Sequence, residues 1–417
     1  MKPGVKIAVF VGALAAGLFV GLNWRNLRAL KAPSIQPVAK MMGLGEADST
    51  QSASQIFLSN YDRISDQYGG KVEGRDLKYA GMSGLLASLG DPHTIFMSPT
   101  FATEFSTETK GRFTGIGARL GGDPLGARIA TVFENGPAFK AGLRPQDVVT
   151  NVDGKPVTGQ STDEIVSKIR GPEGTVVKLT VVRAKSDAPL QFSIKRAAIE
   201  TPTVEGTYVP SNGFGVLTVS QFSEPTFDQF VRELDKLEEK KIKGLVIDMR
   251  GNPGGLLQTA VEMLSLFVEN KTVIKMVKRE GKDETAETPS GLVRDFKYPI
   301  VCLVNEDSAS AAEIFTGALK DYGRVTIVGT HTYGKASVQE PFTLVDSALA
   351  KITIARYLLP SGRNIERKVD EDGVYISGGL EPDVKVEFDD SNDKARFGDP
   401  LTDNQLRKAF DVLKSKQ

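Results

Sequence analysis

The chain is poor in the residues on which most site chemistry rests. Its 417 residues include one cysteine, one tryptophan and two histidines. A single thiol excludes an intrachain disulfide, so stability must come from packed cores. That thiol, Cys302, lies inside the apolar run "PIVCLV" and reads as a small buried core residue. An excess of either charge is also missing. Lys plus Arg and Asp plus Glu are equal at 52 each, which excludes the basic face that nucleic-acid binding requires. Neither an internal repeat nor a nucleotide-binding fingerprint is present, and no metal is implied.

What is there suggests two to four domains of ordinary globular texture, 40% hydrophobic and 25% charged. The amino terminus departs from that texture. Lys2 and Lys6 precede sixteen uncharged, mostly apolar residues, Ile7 to Leu22, and Trp24, Arg25 and Arg28 follow. Residues 1–31 therefore read as a signal peptide or a retained membrane anchor, with residues 7–22 entering the membrane. Export to the periplasm or cell envelope is expected either way, with anchoring to the inner membrane if the segment is kept. Residues 32–54 are small and polar and read as a tether.

Two helices are expected next, within residues 55–100. Phe57, Tyr61, Ile64 and Tyr68 recur at helical spacing, as do Tyr79, Met82, Leu86 and Leu89, and "GDPH" (Gly90 to His93) ends the second. From 101 to 198 short β-like runs alternate with glycines, and a helix, "STDEIVSKI", starts at Ser161 or Thr162. Beyond Thr201 apolar strands alternate with amphipathic helices, the pattern of a largely parallel sheet covered on both faces. This stretch, residues 199–390, is followed by a helical segment at 391–417.

The run "GPAFKAGLRPQDVVTNVDGKPV", Gly136 to Val157, resembles the central signature of a bacterial PDZ domain, with Gln146-Asp147 where that family has Gly-Asp. A PDZ domain captures an extended peptide end by strand addition, its carboxylate resting on backbone N–H groups. By that resemblance Gly115, Ile116, Gly117 and Ala118 form the carboxylate loop. The helix carrying Ile165 and Ile169 flanks a hydrophobic side chain of the peptide.

Two serines precede an apolar helix in "EDSASAAEIF", Glu306 to Phe315. Ser310 and Glu313 have capping-box spacing. A serine at a strand-to-helix turn is also placed to attack, because the next N–H, that of Ala311, points toward an oxyanion. Of the two histidines, neither His93 nor His331 sits in a motif that supports a base. Lys335 lies among uncharged residues in "TYGKASVQ", where burial would favour the free amine, and Gln339 is placed to hold that amine without adding charge.

Together, "NEDSASAAEI" and "YGKASVQ", with "SLGDPHTIFMSP", "IRGPEGT", "VIDMRGNPGG" and "GGLEPDV" in order, resemble the carboxyl-terminal processing peptidases. The resemblance implies an α/β, ClpP/crotonase-like protease core with an inserted β-rich PDZ domain. It implies an endopeptidase with Ser310 as nucleophile, Lys335 as general base and Gln339 as orienting group. Ala311 and either Gly254 or Gly255 would form the oxyanion hole, and Arg170 would couple the PDZ domain to the protease. Partners would be proteins with accessible C-terminal tails, an adaptor or regulator, and further copies of the chain; no cofactor is called for. A non-catalytic peptide-binding scaffold is the alternative reading.

Overall fold

The computed structural model describes residues 52–70, 74–391 and 395–417. The expected signal or anchor segment and nearly all of the expected tether lie outside these residues. Among the described residues no helix is long and apolar enough to cross a membrane.

The chain divides into two units, Met1–Lys78 and Tyr79–Gln417. In the first, the helix Ala53–Gln67 is capped by Ser52, whose hydroxyl accepts from Gln55 N–H while the Gln55 side chain takes the Ser52 N–H. Its apolar residues Phe57 and Ile64, and Tyr68 just beyond its end, are all more than half exposed.

In the second unit, six strands form one sheet in the order Val204–Val209, Phe214–Val219, Gly244–Asp248, Ile300–Val304, Thr326–Gly329, Val384–Lys385. The first pairing is antiparallel and the rest are parallel. The central strands are buried along their whole length because each face is covered. Leu245, Ile247, Cys302 and Val304 pack toward the helices Thr226–Glu239, Leu257–Ser265 and Ala311–Asp321. Val246, Val301, Leu303 and Val328 pack against Leu406, Ala409, Phe410 and Leu413 of the helix Asn404–Lys414. The C-terminal segment is thus one layer of the body built on this sheet. Arg250 pins it there: the fully buried guanidinium bridges Asp248 and Asp403 at 2.6 Å each and lies under Phe397.

A second, antiparallel sheet runs Ile95–Met97, Leu349–Leu358, Thr272–Lys278, Glu284–Glu287, with Ser337–Thr343 also paired to Leu349–Leu358. The run "TVIKMVKRE", expected in the parallel sheet, belongs here. Ile95–Met97, expected in a helical unit, pairs with Leu349, Ala350 and Lys351. The next helix, Pro99–Lys110, runs through the expected boundary at 101.

Between these elements the β-rich domain is inserted on a two-stranded stem, Arg112–Gly115 against Ala197–Glu200. Its five-strand path runs Ala118–Asp123, Gly126–Val132, Val148–Val152, Val176–Val182, Leu190–Lys195. Ala118–Asp123 is an edge, and the helix Thr162–Ile169 packs against that side. Ser161 caps this helix in a box with Glu164. Gln146, standing where the resemblance calls for glycine, adopts the glycine-like φ of +73° and is held by Arg128. That left-handed backbone costs about 1 kcal/mol for a residue with a Cβ.

Candidate active site

The site is assembled where two strands of the parallel sheet end. After Gly244–Asp248 the chain turns through Arg250 to Gly255; after Ile300–Val304 it turns through Asn305 to Ser310. Hydrogen bonds lock the two turns together. Asn252 O accepts from Ala309 N–H, Gly251 N–H donates to Asn305 Oδ1, and Ser308 Oγ donates to Met249 O. Asn252 Oδ1 also accepts the Gly254 N–H at 2.8 Å.

Ser310 heads the helix Ala311–Asp321 with φ +54° and ψ −116°. Such a backbone is costly for any residue but glycine, and surrounding structure must hold it. It turns the half-buried side chain into a cleft of about 350 Å³. Gly254 closes against this turn: a Cβ there would stand 2.8 Å from Ser310 Cβ and 2.7 Å from Ala309 O. Gly255, at φ +140°, pairs with Phe222 so closely that a Cβ would fall 1.9 Å from Phe222 O. Nothing but glycine fits at either position.

The same cleft is lined by Gly254, Gly255, Ala311, Lys335 and Gln339, together with Phe105, Glu108 and Lys351. Burial, and then the positive charge of Lys351, brings the Lys335 amine down from 10.5 to about 8 against the opposing pull of Glu313 and Asp91. Gln339 lines the cleft, but its amide nitrogen donates to Ser337 Oγ and Thr353 Oγ1, not toward Lys335, which has no side-chain acceptor among the described residues.

Glu313 does more than cap. Fully buried, it accepts from Ser310 N–H at 2.9 Å, Gly334 N–H at 2.6 Å, Lys335 N–H at 2.9 Å and the Thr332 hydroxyl. One carboxylate therefore fixes the backbone on both sides of the cleft. Burial pushes its own carboxyl up, partly offset by these four donors. The capping-box spacing signalled Glu313; its reach to Lys335 is a tertiary contact with no local signal.

His93 was without a motif, yet it borders the Lys335 segment in a neighbouring cleft with Asp91, Tyr333 and Gly334, its ring edge-on to Tyr333. Burial and the Lys335 charge depress it. His331 stacks flat on Tyr375 at 3.8 Å. Lys351 and Phe105 were missed altogether, since only the fold brings 105 and 351 to 310.

In the β-rich domain, Ile116 and Gly117 form a buried turn whose carbonyls accept from Ala138 and Phe133 N–H. Gly115 and Ala118 flank it as the ends of two strands. The helix carrying Ile165 and Ile169 is expected to flank a peptide side chain. The structure places them in the domain core, 0% and 3% exposed, because the apolar stripe of a short helix is spent on packing it to its own sheet. Arg170 follows that helix, exposed over the Phe113 ring, and lines a cleft shared with Thr343, Ser347 and Leu349 of the larger body. Among the described residues no cluster of His, Cys, Asp and Glu could hold a metal.

Residues 213–386 match the model of peptidase family S41, and residues 128–183 match a PDZ domain. The carboxy-terminal processing protease CtpB of Bacillus subtilis is 33% identical over 397 residues, 94% of this chain and 79% of that protein. A probable CtpA-like serine protease of Staphylococcus haemolyticus is 35% identical over 350 residues, 83% of this chain and 67% of that one. The crystal structure of a putative S41 protease from Bacteroides fragilis shares the fold, with TM-score 0.51 at 15% identity, covering 89% of this chain and all of that one. The chain belongs to the serine proteases of peptidase family S41 and carries a PDZ domain ahead of its peptidase region.

Proposed function

We propose that this chain is an exported, membrane-tethered endopeptidase that cleaves proteins at or near their carboxyl ends through a Ser310–Lys335 dyad. The observation that carries the reading is the joint presence in one cleft of a serine held on a strained turn and a lysine drawn down to about 8.

The Ser310 hydroxyl attacks the scissile carbonyl carbon as Lys335 Nζ takes its proton. The oxyanion is met by the N–H of Ala311 and that of Gly255, which is favoured over Gly254 because the Gly254 N–H is already given to Asn252. The intermediate collapses as the Lys335 ammonium returns its proton to the departing amine, leaving Ser310 acylated. Water then attacks the ester as Lys335 takes its proton, and the ammonium returns that proton to Ser310 Oγ as the ester bond breaks and the new carboxyl end leaves. Gln339 positions the strand that follows the lysine loop, through Ser337 and Thr353.

The free edge of Ser337–Thr343 borders the cleft and suits a substrate added as a strand. The substrate tail is held first by the PDZ domain, its carboxylate at the turn Gly115 to Ala118 and its backbone along the edge Ala118–Asp123. Arg170, at the cleft between the two bodies, reports that capture to the protease. The name of the B. subtilis relative carries the carboxy-terminal part of this reading.

Incubation with an unstructured protein ending in apolar residues tests it. Cleavage by the wild type, lost in both Ser310→Ala and Lys335→Ala, is expected; equal cleavage by either variant rejects the dyad.

A further inference from the structure

The strand that carries Lys351 also shapes the lysine proposed as base. Leu349–Leu358 pairs along Ser337–Thr343, with Lys351 opposite Pro341 and Thr353 opposite Gln339. Tyr357 N–H donates to Ala336 O, and the Tyr357 hydroxyl donates to Lys335 O. Alternation along the strand turns Lys351 to the same side as Thr353, and both lysines line the cleft that holds Ser310.

Lys351 has no carboxylate within ion-pair distance among the described residues; its ammonium lies over the Phe105 ring, 5.7 Å from the centroid. Lys335, by contrast, is faced by Glu313 from the helix beneath and by Asp91 and His93 from the turn before Ile95–Met97. Glu108 stands exposed on the rim of the cleft. Arg356 is paired to Glu366, and Arg367 is stacked over Tyr333 and Tyr375. Glu313 and Asp91 both favour an ammonium at Lys335, which would be useless for taking a proton from Ser310. A nearby cation without an acid partner offsets them, because two like charges in a partly dry cleft disfavour each other's protonation. Burial draws both amines below their ordinary range, and the positive charge of Lys351 opposes that of Lys335.

We propose that Lys351 is a positioning residue for the reaction, whose unpaired ammonium in the shared cleft keeps the Lys335 amine in its free-base form. This rests on the reading of Lys335 as the base. It makes the cleft a two-lysine device in which one cation is retained so that the other can be shed.

Two measurements on the full chain test it separately from that reading. The first is an NMR titration of the Lys335 side chain, labelled at Cε and assigned by its disappearance in Lys335→Arg. The second is the pH profile of kcat/KM on fluorescently labelled casein. In Lys351→Met and Lys351→Gln the Lys335 midpoint should rise by roughly half to one pH unit, and kcat/KM at pH 7 should fall about three- to tenfold. Both variants should regain the wild-type plateau at high pH, and Lys351→Arg should keep the wild-type profile. An unmoved Lys335 midpoint in whichever of the two neutral variants folds overturns the proposal. So does activity lost equally at every pH. A raised midpoint with full activity in Lys335→Ala would leave the electrostatic coupling standing and reject Lys335 as the base.

Discussion

Ser310 and Lys335 are each placed at a cost. The serine occupies a backbone region that disfavours side chains, and the lysine is held where its charge is poorly solvated. For the lysine the sign of the pH effect follows directly. Its folded value, about 8, lies below the ordinary 10.5, so the penalty for burying the ammonium is fully present below pH 8 and fades as pH rises toward 10.5. Peptidase activity should therefore climb roughly tenfold per unit toward a bend near pH 8. In thermal unfolding at pH 7, Lys335→Met should gain about 1 kcal/mol, after discounting for the solvent that the side chain still meets, and should gain nothing near pH 11. A flat activity profile from pH 6 to 9 would exclude an amine base. The residue types and the spacing of this pair were legible in the sequence. The value of the amine was not, because it depends on Lys351, Glu313 and Asp91, which are distant in sequence from one another.

At the scale of elements, two strand ends and one helix start are tied by side chains that bond to backbone. Glu313 is the tightest of these ties, joining the first residue of its own helix to the loop carrying Lys335. A glutamine there keeps the shape but offers one acceptor oxygen, and turns an NH2 toward groups that are themselves donors. Glu313→Gln should lower kcat at least tenfold with a smaller effect on KM, and cost about 2–3 kcal/mol in denaturant unfolding. Unchanged kcat would mean that the lysine loop holds its place without the clamp. The helix, its cap and the glycine turn at Arg250 to Gly255 could be read from local pattern. The pairing of Thr272–Lys278 with Leu349–Leu358 could not, because a short apolar run carries no mark of which sheet it will join.

For the whole molecule, the segment before the PDZ domain and the segment after the peptidase region both return to the protease body, one as a strand and the other as a covering helix. Arg250 secures the second return. Arg250→Met would leave Asp248 and Asp403 buried side by side without their cation, a loss of about 3–5 kcal/mol. Denaturant unfolding should show that loss, with earlier proteolytic clipping near residues 395–403; a midpoint within experimental error of wild type would show the bridge to be dispensable. In sequence this arginine belonged to a glycine-rich turn, and nothing near it announced a partner more than 150 residues away.

Residue order alone encodes what short-range physics can reach: strand and helix periods, caps, glycine turns, and a serine and a lysine among small, uncharged neighbours. The PDZ-like and peptidase-like signatures sit at that level, since each is a local run. Folding was needed to bring Lys351 and Phe105 into the cleft, to stretch one buried carboxylate across both halves of the site, and to send Ile165 and Ile169 into a core. Those outcomes depend on which surfaces meet, and burial and charge coupling act through space, where distance along the chain has no weight.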